Sequence, residues 1–406
     1  MPSEAWRTQP TVPRVTIGHY EIVRKLAIGG MGEVYLAHQT GPVDFRRHVV
    51  LKRLHPRFTS DPQFVAMFLN EAQIAANLAH PNIIHIYELF QEGEGYVIAM
   101  EYVRGGTVLS LLRAQEGRGG SGLPYGPIVR IATAMCDALY YAYNEPDADG
   151  VPRRVIHRDI SPSNVLVGYD GQAKLADFGI AKALESENAT QATTIKGKYG
   201  YLTPEQIRCE PLDQRNDVFS LGTMLWEMSV GSTLFQRESE MQMMYAILEE
   251  DIPRPSQRVP GYPPDLERVV MKALARARDD RYTDAHALAE DLIAVARSHG
   301  WDCEKSGLAR LVKDLLPDDQ IAFGRFGSDL PVPEPEGEPS QRRMVNGSWV
   351  DADSFASMQV IGAAARGGSS KADVRQWLTR GSLWTIAILL AASAVFWIWI
   401  VPLIDP

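Results

Sequence analysis

The chain has 406 residues, with 41 Lys and Arg against 50 Asp and Glu, for a formal net charge of −9. Its length allows two or three domains, and 45% hydrophobic content is enough for a sizeable core. An acidic balance without a basic tract argues against nucleic acid as a partner. Three widely spaced cysteines (Cys136, Cys209, Cys303) exclude a disulfide scaffold and a cysteine zinc site, and suit a reducing compartment. The first thirty residues hold no apolar run, so no secretory signal is expected.

Residues 1–16 are polar, with Pro10 and Pro13, and read as a flexible arm. A dense apolar pattern follows over 17–296. It starts as short alternating β-type runs and turns helical after about residue 106. Leu26 to Ala37 (Leu-Ala-Ile-Gly-Gly-Met-Gly-Glu-Val-Tyr-Leu-Ala) is a glycine-rich turn between two such runs. Glycines let backbone N–H groups approach phosphate oxygens, but an ordinary hairpin would also look like this. No GxxxxGK[ST] is present, which excludes the P-loop fingerprint.

Val49-Val-Leu-Lys52 ends an apolar run on a cation that must reach water or an anion. Asp61-Pro62 is an N-cap followed by an N1 proline. The helix it starts places Phe64, Phe68, Glu71, Ala75 and Leu78 on one face. A carboxylate on that stripe is costly unless paired, and Lys52 is the natural partner. Alone, Glu71 reads better as a surface glutamate at the edge of the stripe; the motifs that follow reverse that.

Further on, Val155-Ile-His-Arg-Asp-Ile-Ser-Pro-Ser-Asn-Val-Leu-Val167 is followed by Lys174-Leu-Ala-Asp-Phe-Gly179. Asp159 and Asp177 lie 18 residues apart, and Asn164 comes five after the first, in loops between β-type runs. Two carboxylates and an amide are hard oxygen ligands for a divalent ion, with an acceptor for an alcohol proton.

Residues 297–316 read as a helical extension. The stretch 317–381, rich in Pro, Gly, Ser and acids, reads as a disordered juxtamembrane linker, because its apolar content cannot offset ordering entropy. Residues 382–404 read as a transmembrane helix. Leu383 to Ile404 carries no charge over 22 residues, and Trp384, Trp397 and Trp399 sit near its ends. Lys371, Arg375 and Arg380 precede it, which places the preceding chain in the cytoplasm.

The ordered motifs identify the region of about 20–296 as resembling the eukaryotic-like bacterial Ser/Thr protein kinases of the membrane-attached kind. The match continues through His80-Pro-Asn-Ile83, Met100-Glu-Tyr-Val103, Thr203-Pro-Glu205, Asp217-Val-Phe-Ser-Leu-Gly222 and Arg281. The resemblance implies an α+β, bilobal protein-kinase fold, with a small β-rich N-lobe (17–103) and a larger helical C-lobe (104–296). It implies Mg-ATP-dependent transfer of the γ-phosphoryl group to Ser/Thr hydroxyls of cytoplasmic proteins.

In that reading Gly29, Gly30 and Gly32 cover the phosphates, and Lys52 holds them while pairing with Glu71. Ala27, Ile28, Val34, Val50 and Leu166 complete the nucleotide site, with Met100 as gatekeeper and the backbones of Glu101 and Val103 on adenine. Asp159 accepts the hydroxyl proton, while Asn164 and Asp177 bind Mg²⁺. Glu205 and Arg281 form a structural pair, Asp217 caps the catalytic loop, and Ala75, Ile86, His157 and Phe178 stack as a spine. Arg158 and Lys182 would bind a phosphate on Thr190, Thr193 or Thr194. Residues 383–404 would engage the lipid bilayer of the cytoplasmic membrane, and a dimer for trans-autophosphorylation stays open.

Three positions depart from the pattern. Ala27 replaces the first glycine, Ser161 the catalytic-loop lysine, and Lys198 the usual threonine of the segment Lys196 to Glu205. The last two exchange a hydroxyl and an ammonium, so Lys198 is the candidate replacement cation; independent drift, with Lys198 a solvated surface residue, is the alternative. A catalytically silent membrane scaffold is the competing function. It sits poorly with the presence of Lys52, Asp159 and Asp177 together.

Overall fold

The computed structural model describes residues 15–317 except 30, 44, 148 and 179–198, and the backbone of 343–345 and 348–350. Gly30, Lys182, Thr190, Thr193, Thr194, Lys198 and the apolar run 383–404 lie outside the described residues. Among the described residues no helix is long and apolar enough to cross a membrane.

The N-lobe begins with β1 (Thr16–Ile17), β2 (Tyr20–Ile28), β3 (Gly32–Thr40) and β4 (Arg46–Leu54). Helix α1 (Pro62–Ala76) follows, then β5 (Ile86–Glu92) and β6 (Gly95–Glu101). The strands form one antiparallel sheet in the order β1-β2-β3-β4-β6-β5. Strand alternation decides its two faces. Val49 and Leu51 pack with Tyr20, Ala37, Val97 and Ala99 on one side. Val50 and Leu54 pack with Leu26, Phe68, Ala72 and Ile98 on the other. Lys52 shares the parity of Val50 and Leu54, so its stem lies on the face that α1 covers.

The expected cap of α1 is present: Gln63 N donates to Asp61 Oδ1 at 2.9 Å, with Pro62 in the first turn. The buried stripe is Met67, Phe68, Glu71, Ala72 and Ala75. It differs from the sequence expectation at both ends. Phe64 is only half-buried, stacked on Phe58 at 4.2 Å between ring centroids. Leu78 is buried, but the helix has already ended at Ala76.

The C-lobe opens with β7 (Gly105–Thr107), α2 (Val108–Gly117) and α3 (Tyr125–Asn144). β8 (Val165–Gly168) and β9 (Ala173–Leu175) make a hairpin that joins β7 in a small sheet. α4 (Pro204–Ile207), α5 (Arg215–Val230), α6 (Glu240–Leu248), α7 (Pro264–Ala273) and α8 (Ala285–His299) follow. α5 is the axis of the lobe, buried continuously from Asn216 to Val230. Most of its buried side chains are apolar, as suits a helix inside a core, and its buried Asp217 and Glu227 accept hydrogen bonds.

A last helix, α9 (Lys305–Leu315), packs into the same core through Leu308, Val312 and Leu315. Tyr169 Oη donates to the Leu316 carbonyl at 2.7 Å, and Arg118 pairs with Asp314 at 2.7 Å. Gly171 (φ +77°) lies so close beneath α9 that a Cβ there would collide with the Lys305 carbonyl. The polar segment after the helical region holds two paired strands, β10 (Arg343–Val345) and β11 (Ser348–Val350), in the separate unit Pro331–Pro406.

The extension is therefore part of the lobe's core. Leu308→Ala should cost about 2–4 kcal/mol, read as a lower denaturation midpoint. A midpoint equal to that of the parent chain would show α9 to be dispensable.

Candidate active site

Hairpin register brings the key oxygens together. Val165 pairs with Leu175, so Asn164 and Ala176 face each other just beyond the ladder, and Ala176 N donates to the Asn164 carbonyl at 2.9 Å. Asp177 is the next residue, with φ of 57°. Side chains 13 positions apart in sequence thus emerge from one end of one hairpin.

The loop before β8 is held from below. Asp217, at the buried start of α5, accepts from His157 N at 2.7 Å and from Arg158 N at 2.9 Å. This fastens the turn at Arg158, whose φ is 67°. Burial pushes the Asp217 carboxyl above its usual range, even with both N–H donors on it. Burial also lowers His157, a neutral ring whose Nε2 lies 3.1 Å from the Ala176 carbonyl. Asn164 Nδ2 donates to the Asp159 carbonyl at 2.8 Å and to Asp159 Oδ2 at 2.9 Å. Asp159 and Asn164 are both buried, and the amide fixes the carboxylate's orientation.

Lys52 joins this hairpin to the N-lobe. Its Nζ lies 2.7 Å from Glu71 Oε1 and 2.8 Å from Asp177 Oδ1. Burial alone would lower the ammonium, but Asp177 and Glu71 outweigh it and hold Lys52 above the ordinary lysine value. Lys52 therefore stays charged at any physiological pH. Phe178 turns inward, its ring 4.7 Å from that of His157, within the cluster that contains Ala75 and packs against Ile86. The four expected spine residues are thus in one apolar group.

The glycine turn closes through Gly29 N on the Gly32 carbonyl at 2.7 Å. Gly32 has no room for a Cβ, which would strike the Arg53 carbonyl. Val50 and Met100 are paired in register and buried; Val103 is buried just after β6. Val34, Leu166 and Ala176 pack against their cluster. Ala27 is half-buried and Ile28 exposed at the end of β2. Glu101 N donates to the His85 carbonyl at 2.9 Å, so its N–H faces the sheet; its side chain pairs with Lys174 at 2.9 Å. Ser161 is buried, its Oγ 2.9 Å from Ser163 Oγ.

The segment from Tyr199 onward is fastened to α5. Thr203 Oγ1 donates to Asn216 Oδ1 at 2.7 Å, and Gln206 Nε2 donates to the Arg158 carbonyl at 2.9 Å. Glu205 and Arg281 form the expected buried pair, two-pronged at 2.7 and 2.9 Å. A further buried carboxylate, Glu227, has no counterpart in the sequence analysis. Glu227 accepts from Tyr201 Oη at 2.7 Å and Leu234 N at 2.9 Å. Its signal was visible as the lone acid inside the apolar run Val218 to Val230.

The donor set fits a hard divalent ion: Asp177 carboxylate and Asn164 amide oxygen lie at one hairpin end, beside a cation suited to phosphate. Among the described residues no cluster of three or more His, Cys, Asp or Glu forms a dedicated metal cage.

The protein kinase domain family matches residues 20–293 of the chain. Tyrosine-protein kinase MasK of Myxococcus xanthus is 42% identical over 283 residues, covering 70% of this chain and 44% of that protein. Serine/threonine-protein kinase PknB of Mycolicibacterium smegmatis is 35% identical, over 84% of this chain and 53% of its own. Serine/threonine-protein kinase PknL of Mycobacterium tuberculosis is 33% identical, over 72% of this chain and 69% of its own. The chain thus spans about half the length of the first two of these relatives. The crystal structure of the Mycobacterium tuberculosis PknI kinase domain superposes with a TM-score of 0.53 at 28% identity, covering 70% of this chain and 98% of that one.

Two stability measurements probe the site's foundations. Arg281→Ala should destabilise the fold by about 3–5 kcal/mol, because it leaves Glu205 buried without a counter-charge. Burial pushes the Glu227 carboxyl up to about 7. A raised acid favours the protonated folded state, so its contribution is full below about pH 4.5 and fades as pH rises through about 7. Glu227→Gln should remove that part of the slope, seen by comparing urea midpoints of both proteins at pH 5 and 7.5. An unchanged slope would place the titration elsewhere.

Proposed function

The chain belongs to the protein kinase domain family, and from that premise we propose that it is an active Ser/Thr protein kinase using ATP and Mg²⁺. The observation that carries the reading is Lys52 held between Glu71 and Asp177, at the hairpin end that also orients Asp159 through Asn164.

ATP would lie under Gly29 to Gly32, its adenine against Val34, Val50, Leu166 and Met100, with hydrogen bonds to the Glu101 carbonyl and the Val103 backbone. Lys52 would neutralise the α- and β-phosphates. Asp177 and Asn164 would hold the metal, which would neutralise phosphate charge when bound. Asp159 would orient the acceptor hydroxyl. The hydroxyl oxygen forms a bond to the γ-phosphorus, the bond to the β–γ bridging oxygen breaks, and the proton passes to Asp159 as ADP leaves.

Ser161 cannot supply the cation that the family places beside the transferred phosphate, and we assign that charge to Lys198 in the activation segment. An ammonium near the transferring group acts through the same electrostatic term from either side. Arg158 supports a phosphate-ordered activation segment: its Nε is buried without a hydrogen-bond partner among the described residues. A phosphate on Thr193 or Thr194, placed there by autophosphorylation within a dimer, would satisfy it. The run 383–404 would anchor the enzyme in the cytoplasmic membrane, with the catalytic domain and its protein substrates on the cytoplasmic side.

The acceptor is taken as Ser/Thr from Pro162, from the absence of the Ala/Arg pattern of tyrosine-specific kinases, and from the names PknB and PknL. The name of the Myxococcus xanthus relative favours tyrosine as the second reading. Full-length chain with Mg²⁺, labelled ATP and a generic basic protein should give labelled substrate, and phosphoamino-acid analysis separates the acceptors. Asp159→Asn and Asp177→Asn should each lower the rate by about 100-fold or more. Retention of full rate by either would remove the catalytic reading. Lys198→Ala should lose most activity, and Ser161→Lys combined with Lys198→Thr should recover it. Full activity in Lys198→Ala would show Lys198 to be a bystander. Phosphate is expected between residues 186 and 203 by mass spectrometry after incubation with ATP.

A further inference from the structure

His38 and His48 are cross-strand partners in the β3–β4 ladder, and their Nε2 atoms lie 3.0 Å apart. The rings are 4.5 Å apart between centroids, tilted by 57°. Two nitrogens sharing a metal at about 2.05 Å stand about 2.9 Å apart at a right angle and about 3.3 Å apart at the tetrahedral angle. The observed separation falls between these values. We propose that His38 and His48 form a two-imidazole chelate for one borderline-soft divalent first-row cation, such as Zn²⁺ or Cu²⁺, that staples β3 to β4.

The surroundings suit a metal better than a proton. Burial, the facing His48 and Arg46 all lower His38, with Glu21 opposing them, so the ring is neutral and its lone pair available near pH 7. Glu21 is the register partner of His38 on β2, placing a carboxylate in the row beside the imidazoles. His48 is exposed, so solvent can fill the remaining coordination positions. No third His, Cys, Asp or Glu completes a cage among the described residues, which makes this a two-ligand, exchangeable site rather than a structural one.

The staple sits far from the glycine turn but close to the connection between the lobes. The His48 and Tyr102 rings are 5.7 Å apart, and β4 runs on from His48 to Val50 and Lys52. A bound cation would therefore stiffen the strand that carries the site's ammonium without touching nucleotide.

The test uses the full chain, purified without a polyhistidine tag and held in excess Mg²⁺ so that hard-oxygen sites are filled. Zn²⁺ titrated by calorimetry at pH 7.5 should show a site of one equivalent. His38→Ala and His48→Ala should each weaken it by about tenfold or more. Cu²⁺ should give an electron paramagnetic resonance spectrum with nitrogen hyperfine structure that either variant simplifies. The unfolding midpoint of the parent chain should rise with Zn²⁺, and those of the variants should not. Both residues lie on the sheet surface, so folding of the variants is checked by their metal-free midpoints. Equal Zn²⁺ binding in parent and variants, or none in the parent, would overturn the proposal and leave a shared proton as the bond between the rings.

Discussion

One ammonium ties the active cleft together. Lys52 is carried by a strand, Glu71 by a helix, and Asp177 by the far end of a hairpin in the other lobe. Three elements separated along the chain meet at 2.7 and 2.8 Å on a single nitrogen. Lys52 and Glu71 are largely shielded, so removing Glu71 would leave charge with little to balance it, whereas Asp177 meets them from the exposed side. The contact therefore reports that sheet, helix and hairpin all stand in mutually consistent places.

The same economy appears in how the remaining parts are held. Asp217 does no chemistry, yet its two oxygens take the N–H groups of His157 and Arg158 and so set the loop from which Asp159 projects. Asn164 then takes up the orientation of Asp159 with two hydrogen bonds. Glu205 and Arg281 do for the segment from Tyr199 onward what Asp217 does for the catalytic loop. In each case a buried carboxylate is positioned by fixed donors, although at Asp217 burial still outweighs them.

Helix α9 enlarges the picture of where the catalytic unit ends. The family pattern stops at residue 293, but Leu308 and Val312 are as deeply buried as the helices before them. The chain leaves the lobe next to α2 and the β8–β9 sheet, after the contacts of Arg118 and Tyr169 with α9.

Much of this was readable from residue order. Alternation put Lys52 at the end of an apolar strand, helical phase put Glu71 on a buried face, and Asp61-Pro62 marked the helix start. Those are local properties, set by backbone periodicity and by side-chain chemistry within a turn or two. Periodicity misjudged the ends of that helix, because Phe64 found a neighbour in Phe58 and Leu78 was buried by the chain after the last turn. What only the folded chain decided is long-range. No local rule says that Asp177 reaches Lys52 across 125 positions, that Tyr201 closes on Glu227, or that α9 joins the core. Such contacts depend on how separate elements pack, and packing is fixed by the whole buried surface rather than by any one segment of it.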